Sequence, residues 1–118
     1  MNAVYIKKLS HALRDGNPIR GIIRGSGTNN DGRSQGIMTP NDVLQEKLIR
    51  QVYERAGISD VSKTAFFECH GTGTPTGDPL EARAVARIWG PHGGVLMGAV
   101  RAPIPLSPLT ELSLTITR

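Results

Sequence analysis

The sequence holds a single cysteine, Cys69, so it can form no intrachain disulfide framework and no multi-thiolate metal site. That scarcity points to a reducing, cytoplasmic setting. Aromatics are scarce too, with one Trp, two Tyr and two Phe, so any core must rest on few large rings. No apolar run approaches bilayer-spanning length, and the amino terminus carries no targeting pattern, so no membrane association is expected. The net charge of +4 comes from 14 Lys and Arg against 10 Asp and Glu, scattered singly and in pairs. Without a basic run or interleaved aromatics, no nucleic acid partner is expected. The three histidines, His11, His70 and His92, show no ligand spacing among themselves or with Cys69, so no metal is expected.

What remains, 118 residues at 38% hydrophobic and 20% charged, suits one modest globular domain. Ala3 to Lys8 is β-prone and Leu9 to Arg14 reads as a brief helix, with Ser10 near its start and Gly16 as its stop. Ile19 to Arg24 reads as a second strand, followed by a polar glycine-rich loop through Arg33. Thr39 as N-cap and Pro40 at the first helical position predict a helix to about Ala56. In it Leu44, Leu48 and Val52 recur every fourth residue, flanked by Ile49, Tyr53 and Ala56, a broad face to lay on a sheet. Gly57 suits a left-handed C-terminal cap. Thr64 to Cys69 reads as a buried strand, and Asp78 as N-cap with Glu81 three residues on predicts a capping box for the next helix. Leu80, Ala84 and Ile88 line its inner face, Gly90 and Pro91 end it, and Gly94 to Val100 reads as a last strand. Strand and helix alternate, so the expected fold class is α/β.

His70 follows the apolar Ala65-Phe66-Phe67 and precedes Gly71-Thr72-Gly73-Thr74, which puts its imidazole at the carboxyl end of a buried strand, where α/β folds keep their chemistry. The glycines allow close approach of a ligand, and the threonine hydroxyls both donate and accept. Taken alone, His70 reads first as a half-buried histidine satisfied by backbone, and it is the surrounding run that changes this. The whole run from Glu68 to Ala82, including His70-Gly71-Thr72-Gly73-Thr74-Pro75-Thr76-Gly77-Asp78-Pro79-Leu80-Glu81, resembles the histidine motif of β-ketoacyl synthases, above all the ketosynthase domains of polyketide synthases. Ala12-Leu13-Arg14-Asp15-Gly16-Asn17-Pro18-Ile19-Arg20, Ile23-Arg24-Gly25-Ser26-Gly27 and Asn30-Asp31-Gly32-Arg33 resemble the same family. Residues 1–104 then correspond to the end of its first half and the start of its second, and residues 105–118 form a tail without resemblance.

The resemblance implies a fragment of a thiolase-like α-β-α-β-α layered fold and an acyltransferase family whose reaction is decarboxylative Claisen condensation of an acyl thioester with malonyl-carrier protein. It further implies no directly bound cofactor, the phosphopantetheine arm of a partner acyl carrier protein at the site, and a homodimeric parent. His70 matches a histidine that offers an N–H donor to the malonyl thioester oxygen. Thr72, Thr74, Gly71 and Gly73 match the lining of the phosphopantetheine arm. Asp78 and Glu81 are expected as structural helix caps, with Glu81 also able to order the polar network. The family's nucleophilic cysteine lies in a Cys-Ser-Ser elbow that this sequence lacks, and Cys69 reads as core packing because adjacent strand residues face opposite ways. Arg101 stands at the family's lysine position and Leu106 at its second histidine position, two degenerate catalytic positions. An incomplete or misread gene would explain such ends.

Two readings compete. One is a catalytically inactive carrier-protein-binding or dimerisation fragment. The other takes Gly25-Ser26-Gly27 and Gly32 as a phosphate-cradling loop, but the spacing matches neither the dinucleotide fingerprint nor the P-loop.

Overall fold

The computed structural model describes residues 3–30 and 41–99. Its elements are α1 (Leu9–Arg14), α2 (Asp42–Arg55), a 3-10 turn (Val61–Lys63), β1 (Phe67–Glu68), α3 (Gly77–Trp89), a second 3-10 turn (Gly90–His92) and β2 (Met97–Gly98). β1 and β2 pair in parallel, Phe67 against Met97 and Glu68 against Gly98. Parallel neighbours need a long crossover, and α3 supplies it, making a β-α-β unit. Ladder bonds extend the pairing past the two short strands, from Phe67 N to Leu96 O (2.8 Å) and from Cys69 N to Gly98 O (2.7 Å). No helix among the described residues is long and apolar enough to cross a membrane.

Trp89 ends α3 at the centre of the core. With Cys69, Val85 and Ile88 it forms the buried cluster, ringed by Ile49, Tyr53, Val61, Phe67, Val95, Met97 and Ala99. Its ring meets Tyr53 edge-on at 5.7 Å and Phe67 at a tilt at 5.1 Å. Its indole N–H, which burial would otherwise strand, donates to Val61 O at 2.9 Å. The expected inner face of α3 is present at Ala84 and Ile88, while Leu80, nearer the helix start, is only half-buried and stands outside the core cluster, and the residue that organises the face is the tryptophan beside the helix stop.

α2 begins two residues later than the sequence suggested. Asn41, not Thr39, caps it, its side chain accepting from Val43 N and Leu44 N. Asparagine performs this as well as threonine and stands adjacent to the first helical residue. Thr39 and Pro40 lie outside the described residues. At the other end Gly57 takes the left-handed conformation, φ +67. α2 does not lay a broad face on a sheet. It packs on α3, with Ile49 and Tyr53 against the core.

The rest of its apolar stripe is covered by an extended strap. Arg24 donates to Ala56 O (3.0 Å) and Asn29 to Leu44 O (2.9 Å), so the strap runs antiparallel to the helix. The extended run from Arg24 to Asn29 and the helix from Leu44 to Ala56 each span roughly 17–18 Å, which is why the two ends meet. Glycine is needed here for closeness: a Cβ on Gly27 would stand 2.8 Å from Val52 Cγ2, and one on Gly25 3.1 Å from Val52 O.

Two expected strands are absent. The segments 3–8 and 19–24 pair with nothing among the described residues, and Val4, Tyr5 and Ile23 are 83%, 88% and 73% exposed. β-propensity is realised only against a neighbouring strand, and among the described residues none is adjacent. α1 forms as expected, stopped by Gly16 at φ +63.

Replacing Trp89 by Phe keeps an aromatic body but removes the indole bond to Val61 O, which then keeps only the Thr64 N–H, and leaves a void. Urea unfolding should show a loss of about 1–3 kcal/mol.

Candidate active site

The chain leaves β1 at Cys69 and must turn within a few residues to enter α3. It does so through two glycines in the left-handed region, Gly71 at φ +47 and Gly73 at φ +78. The turn is then fastened from the helix side. Glu81 accepts from His70 N through Oε1 (2.6 Å) and from Gly71 N through Oε2 (3.0 Å). Asp78 accepts from Gly73 N through Oδ2 (3.1 Å) and from Thr74 N through Oδ1 (3.4 Å). Backbone hydrogen bonds to a charged acceptor are each worth about 1.5–3 kcal/mol when shielded from water, and less at this partly exposed site.

These contacts correct the expected capping box. α3 starts at Gly77, its N-cap is Thr76 without a side-chain cap bond, and Asp78 N bonds Thr74 O at 3.2 Å. Asp78 and Glu81 therefore lie inside the helix and face back over the loop. They cap the loop's N–H groups rather than the helix's own. Asp78, in the first turn, still complements the positive end of the helix dipole.

With the backbone tied down, the loop's side chains are left open. His70, Thr72 and Thr74 are all exposed, and Gly71 is buried. Thr74 Oγ1 accepts from Gly77 N (3.1 Å) and lies 3.4 Å from Thr72 Oγ1, so each hydroxyl keeps hydrogen-bonding capacity for a ligand. Beside His70 an apolar groove of about 270 Å³ is lined by Gln45, Leu48, Ile49, Phe67, Glu81 and Val85. A larger hollow of about 460 Å³, lined by Arg24, Tyr53 and Lys63 among others, contains none of the loop residues.

Cys69 adjoins His70 but turns inward. It is 7% exposed, and its thiol is pushed up to about 12, first by burial and then by the negative charges of Glu81, Glu68 and Asp78. A thiol so hard to ionise is no nucleophile at neutral pH, and core packing is its role here. His11 lies in α1 and His92 in the turn after α3. Among the described residues no His, Cys, Asp and Glu cluster could hold a metal ion. The strap explains Gly25 and Gly27 by packing on α2, which removes their reading as a phosphate loop. Gly32, Arg101, Leu106 and the tail 105–118 lie outside the described residues.

One neighbour escaped the sequence reading. A Cβ added at Gly71 would fall onto the Ala99 methyl, just beyond β2. The clamp by Glu81 was legible only in part: Asp78 and Glu81 sit three apart on one helix face directly after a strand-end loop, a spacing that signals two side chains aimed the same way.

The chain matches the family described as Beta-ketoacyl synthase, C-terminal domain, over residues 20–104. A highly reducing polyketide synthase from a Fusarium species is 56% identical over 93 residues, covering 79% of this chain and 4% of the relative. A second, from Purpureocillium lilacinum, is 59% identical over 93 residues, again 79% of this chain and 4% of the relative. This chain thus spans a small part of the curated relatives it matches. A solved ketosynthase from module 6 of the bacillaene synthase of Bacillus subtilis 168 aligns with a TM-score of 0.72 at 37% identity, covering 83% of this chain and 18% of that one. The described residues share the mixed α/β, thiolase-like structure of ketosynthase domains.

Two outcomes follow from this geometry. Glu81→Ala should leave the His70 and Gly71 N–H groups without their acceptor and lower stability by about 1–3 kcal/mol in urea unfolding, with hydrogen exchange faster at both amides. Because the Cys69 thiol is raised above its ordinary value of 9.0, its stabilising contribution is complete below that pH and is lost as pH climbs towards 12. Alkylation at pH 8 should accordingly be at least about tenfold slower in the folded chain than in urea.

Proposed function

Since this chain belongs to the β-ketoacyl synthase family, as part of a polyketide-synthase ketosynthase domain, we propose that its His70 to Thr74 loop forms the malonyl side of a decarboxylative Claisen condensation site. The family acts on substrates tethered to phosphopantetheine. The observation that carries the reading is the double clamp: Glu81 and Asp78 take up the loop's backbone N–H groups, which leaves the exposed His70 ring and the remaining hydrogen-bonding capacity of the Thr72 and Thr74 hydroxyls to meet a ligand at the strand end.

In the proposed step the bond between the malonyl carboxylate and its α-carbon breaks and carbon dioxide leaves. The electron pair moves onto the thioester oxygen as an enolate. An N–H of His70 is the donor that meets this developing charge, an effect worth most where water is scarce. The α-carbon then attacks an acyl thioester, forming the new carbon–carbon bond and expelling a thiolate. The phosphopantetheine arm carries amides and a hydroxyl, and the exposed Thr72 and Thr74 offer matching donors and acceptors, with the exposed Gly73 leaving room for its approach, whereas Gly71 is buried against Ala99 and shapes the turn instead. The malonyl group would arrive on an acyl carrier protein, in a homodimeric cytoplasmic parent.

A second reading, binding of the carrier-borne arm without turnover, is favoured by one observation. The acyl chain needs a nucleophilic thiolate, and Cys69 is buried with its thiol pushed up to about 12. In the condensation reading that thiolate comes from another part of the domain.

In the intact synthase, His70→Ala should slow decarboxylation of malonyl-carrier protein by about 10²–10³-fold. Thr72→Val combined with Thr74→Val should chiefly raise KM for that substrate. An unchanged decarboxylation rate in His70→Ala would defeat the condensation role and leave arm binding as the function.

A further inference from the structure

We propose that Ala99 is a positioning residue for His70, its methyl setting the height of the His70 loop above the strand ends. The proposal rests on the role given to His70 above. It begins from the way the chain is held on either side of that histidine. On the near side, Cys69 N donates to Gly98 O at 2.7 Å, a ladder bond of the parallel pair. On the far side, the Cα of Gly71 faces Ala99 so closely that a Cβ built on Gly71 would fall onto the Ala99 methyl and within 3.7 Å of Ala99 Cα. His70 is therefore flanked by two contacts to two successive residues, Gly98 and Ala99.

The Gly71 peptide is also gripped from the opposite side, since its N–H donates to Glu81 Oε2 at 3.0 Å. Hydrogen bonds from His70 and Gly71 to one carboxylate fix the direction of two N–H vectors but allow the loop to rock about the carboxylate. A solid contact against Gly71 removes that freedom. Residue 99 provides it because residue 71 cannot carry a side chain of its own: at φ +47 a Cβ is disfavoured, and the space it would need is filled from β2. Ala99 is partly buried and packs on the core cluster, so its side chain is backed by that cluster. The side chain at 99 thus has one suitable size. Glycine leaves the loop unbraced, and valine drives Gly71 off Glu81.

The test uses the intact synthase, measuring kcat and KM for decarboxylation of malonyl-carrier protein together with the thermal midpoint. Ala99→Gly should lower kcat by about tenfold, as expected for a slight misplacement of a catalytic group, with KM little changed. Ala99→Ser, which restores the Cβ, should recover most of that loss, and this recovery separates positioning from a general weakening of the strand. Ala99→Gly adds no volume and so remains informative where Ala99→Val fails to fold. His70→Ala, run alongside, separates the two levels of the proposal. Normal kcat in Ala99→Gly with a large loss in His70→Ala would overturn the role of Ala99 alone. Normal rates in both would overturn the role of His70 and, with it, this one. A loss in Ala99→Gly that Ala99→Ser does not recover would also overturn the positioning role.

Discussion

The carboxylate of Glu81, receiving two consecutive backbone N–H groups from His70 and Gly71, is the contact on which the candidate site depends. A loop that turns through two left-handed glycines has few intrinsic reasons to hold one shape. Glu81 gives it one, because the two oxygens of a single planar group constrain two adjacent peptides at once. The constraint works only if Glu81 is itself fixed, and that falls to the far end of the same helix. Trp89 seals α3 into the core by packing on Tyr53 and Phe67 and by its bond to Val61 O. Apolar burial thus sets the helix, and the helix aims the carboxylate.

The same arrangement governs the electrostatics. Glu68, Asp78 and Glu81 surround Cys69 with negative charge on top of burial, which keeps its thiol protonated and chemically quiet next to the histidine. On the outer side of the helix pair, Asp42 meets Arg87 at 2.7 Å and Arg83 at 3.5 Å, and Arg87 also approaches Glu46 at 3.7 Å. Burial pushes the Asp42 carboxyl up, but the charges and hydrogen bonds of Arg87 and Arg83 outweigh it and hold the group below the usual carboxylate range. Surface pairs of this kind contribute at most about 1 kcal/mol each. Their effect is to fix how α2 lies across α3, and the groove beside His70 opens between those two helices.

Where the sequence reading held, local chemistry was decisive. α1, with its glycine stop, and Gly57 after α2 need only φ and capping preferences, which neighbouring residues express by themselves. The inner face of α3 follows from periodicity. The reading failed where an element's fate depended on a partner remote in sequence. Residues 3–8 and 19–24 carry strand-prone side chains but find no strand to pair with among the described residues. The stripe of α2 suggested a sheet beneath it, yet helix periodicity does not say what covers a face, and here α3 and a glycine strap do.

The sequence by itself determined the family to which the chain belongs, because the unbroken run from His70 to Glu81 carries histidine, glycines, threonines and carboxylates at fixed spacing. It also placed the histidine at a strand end, between an apolar run and a glycine-rich one, and Cys69 in the core, since adjacent side chains of a strand face opposite ways. Only the tertiary structure decided what the carboxylates bind. A two-residue shift in the start of α3, to Gly77 with Thr76 as N-cap, moved Asp78 and Glu81 from capping their own helix to holding the loop, and only the folded arrangement of loop and helix shows which N–H groups their carboxylates receive. The approach of Ala99 to Gly71 had no local signature at all, because it joins two chain segments brought together only when the parallel strands pair.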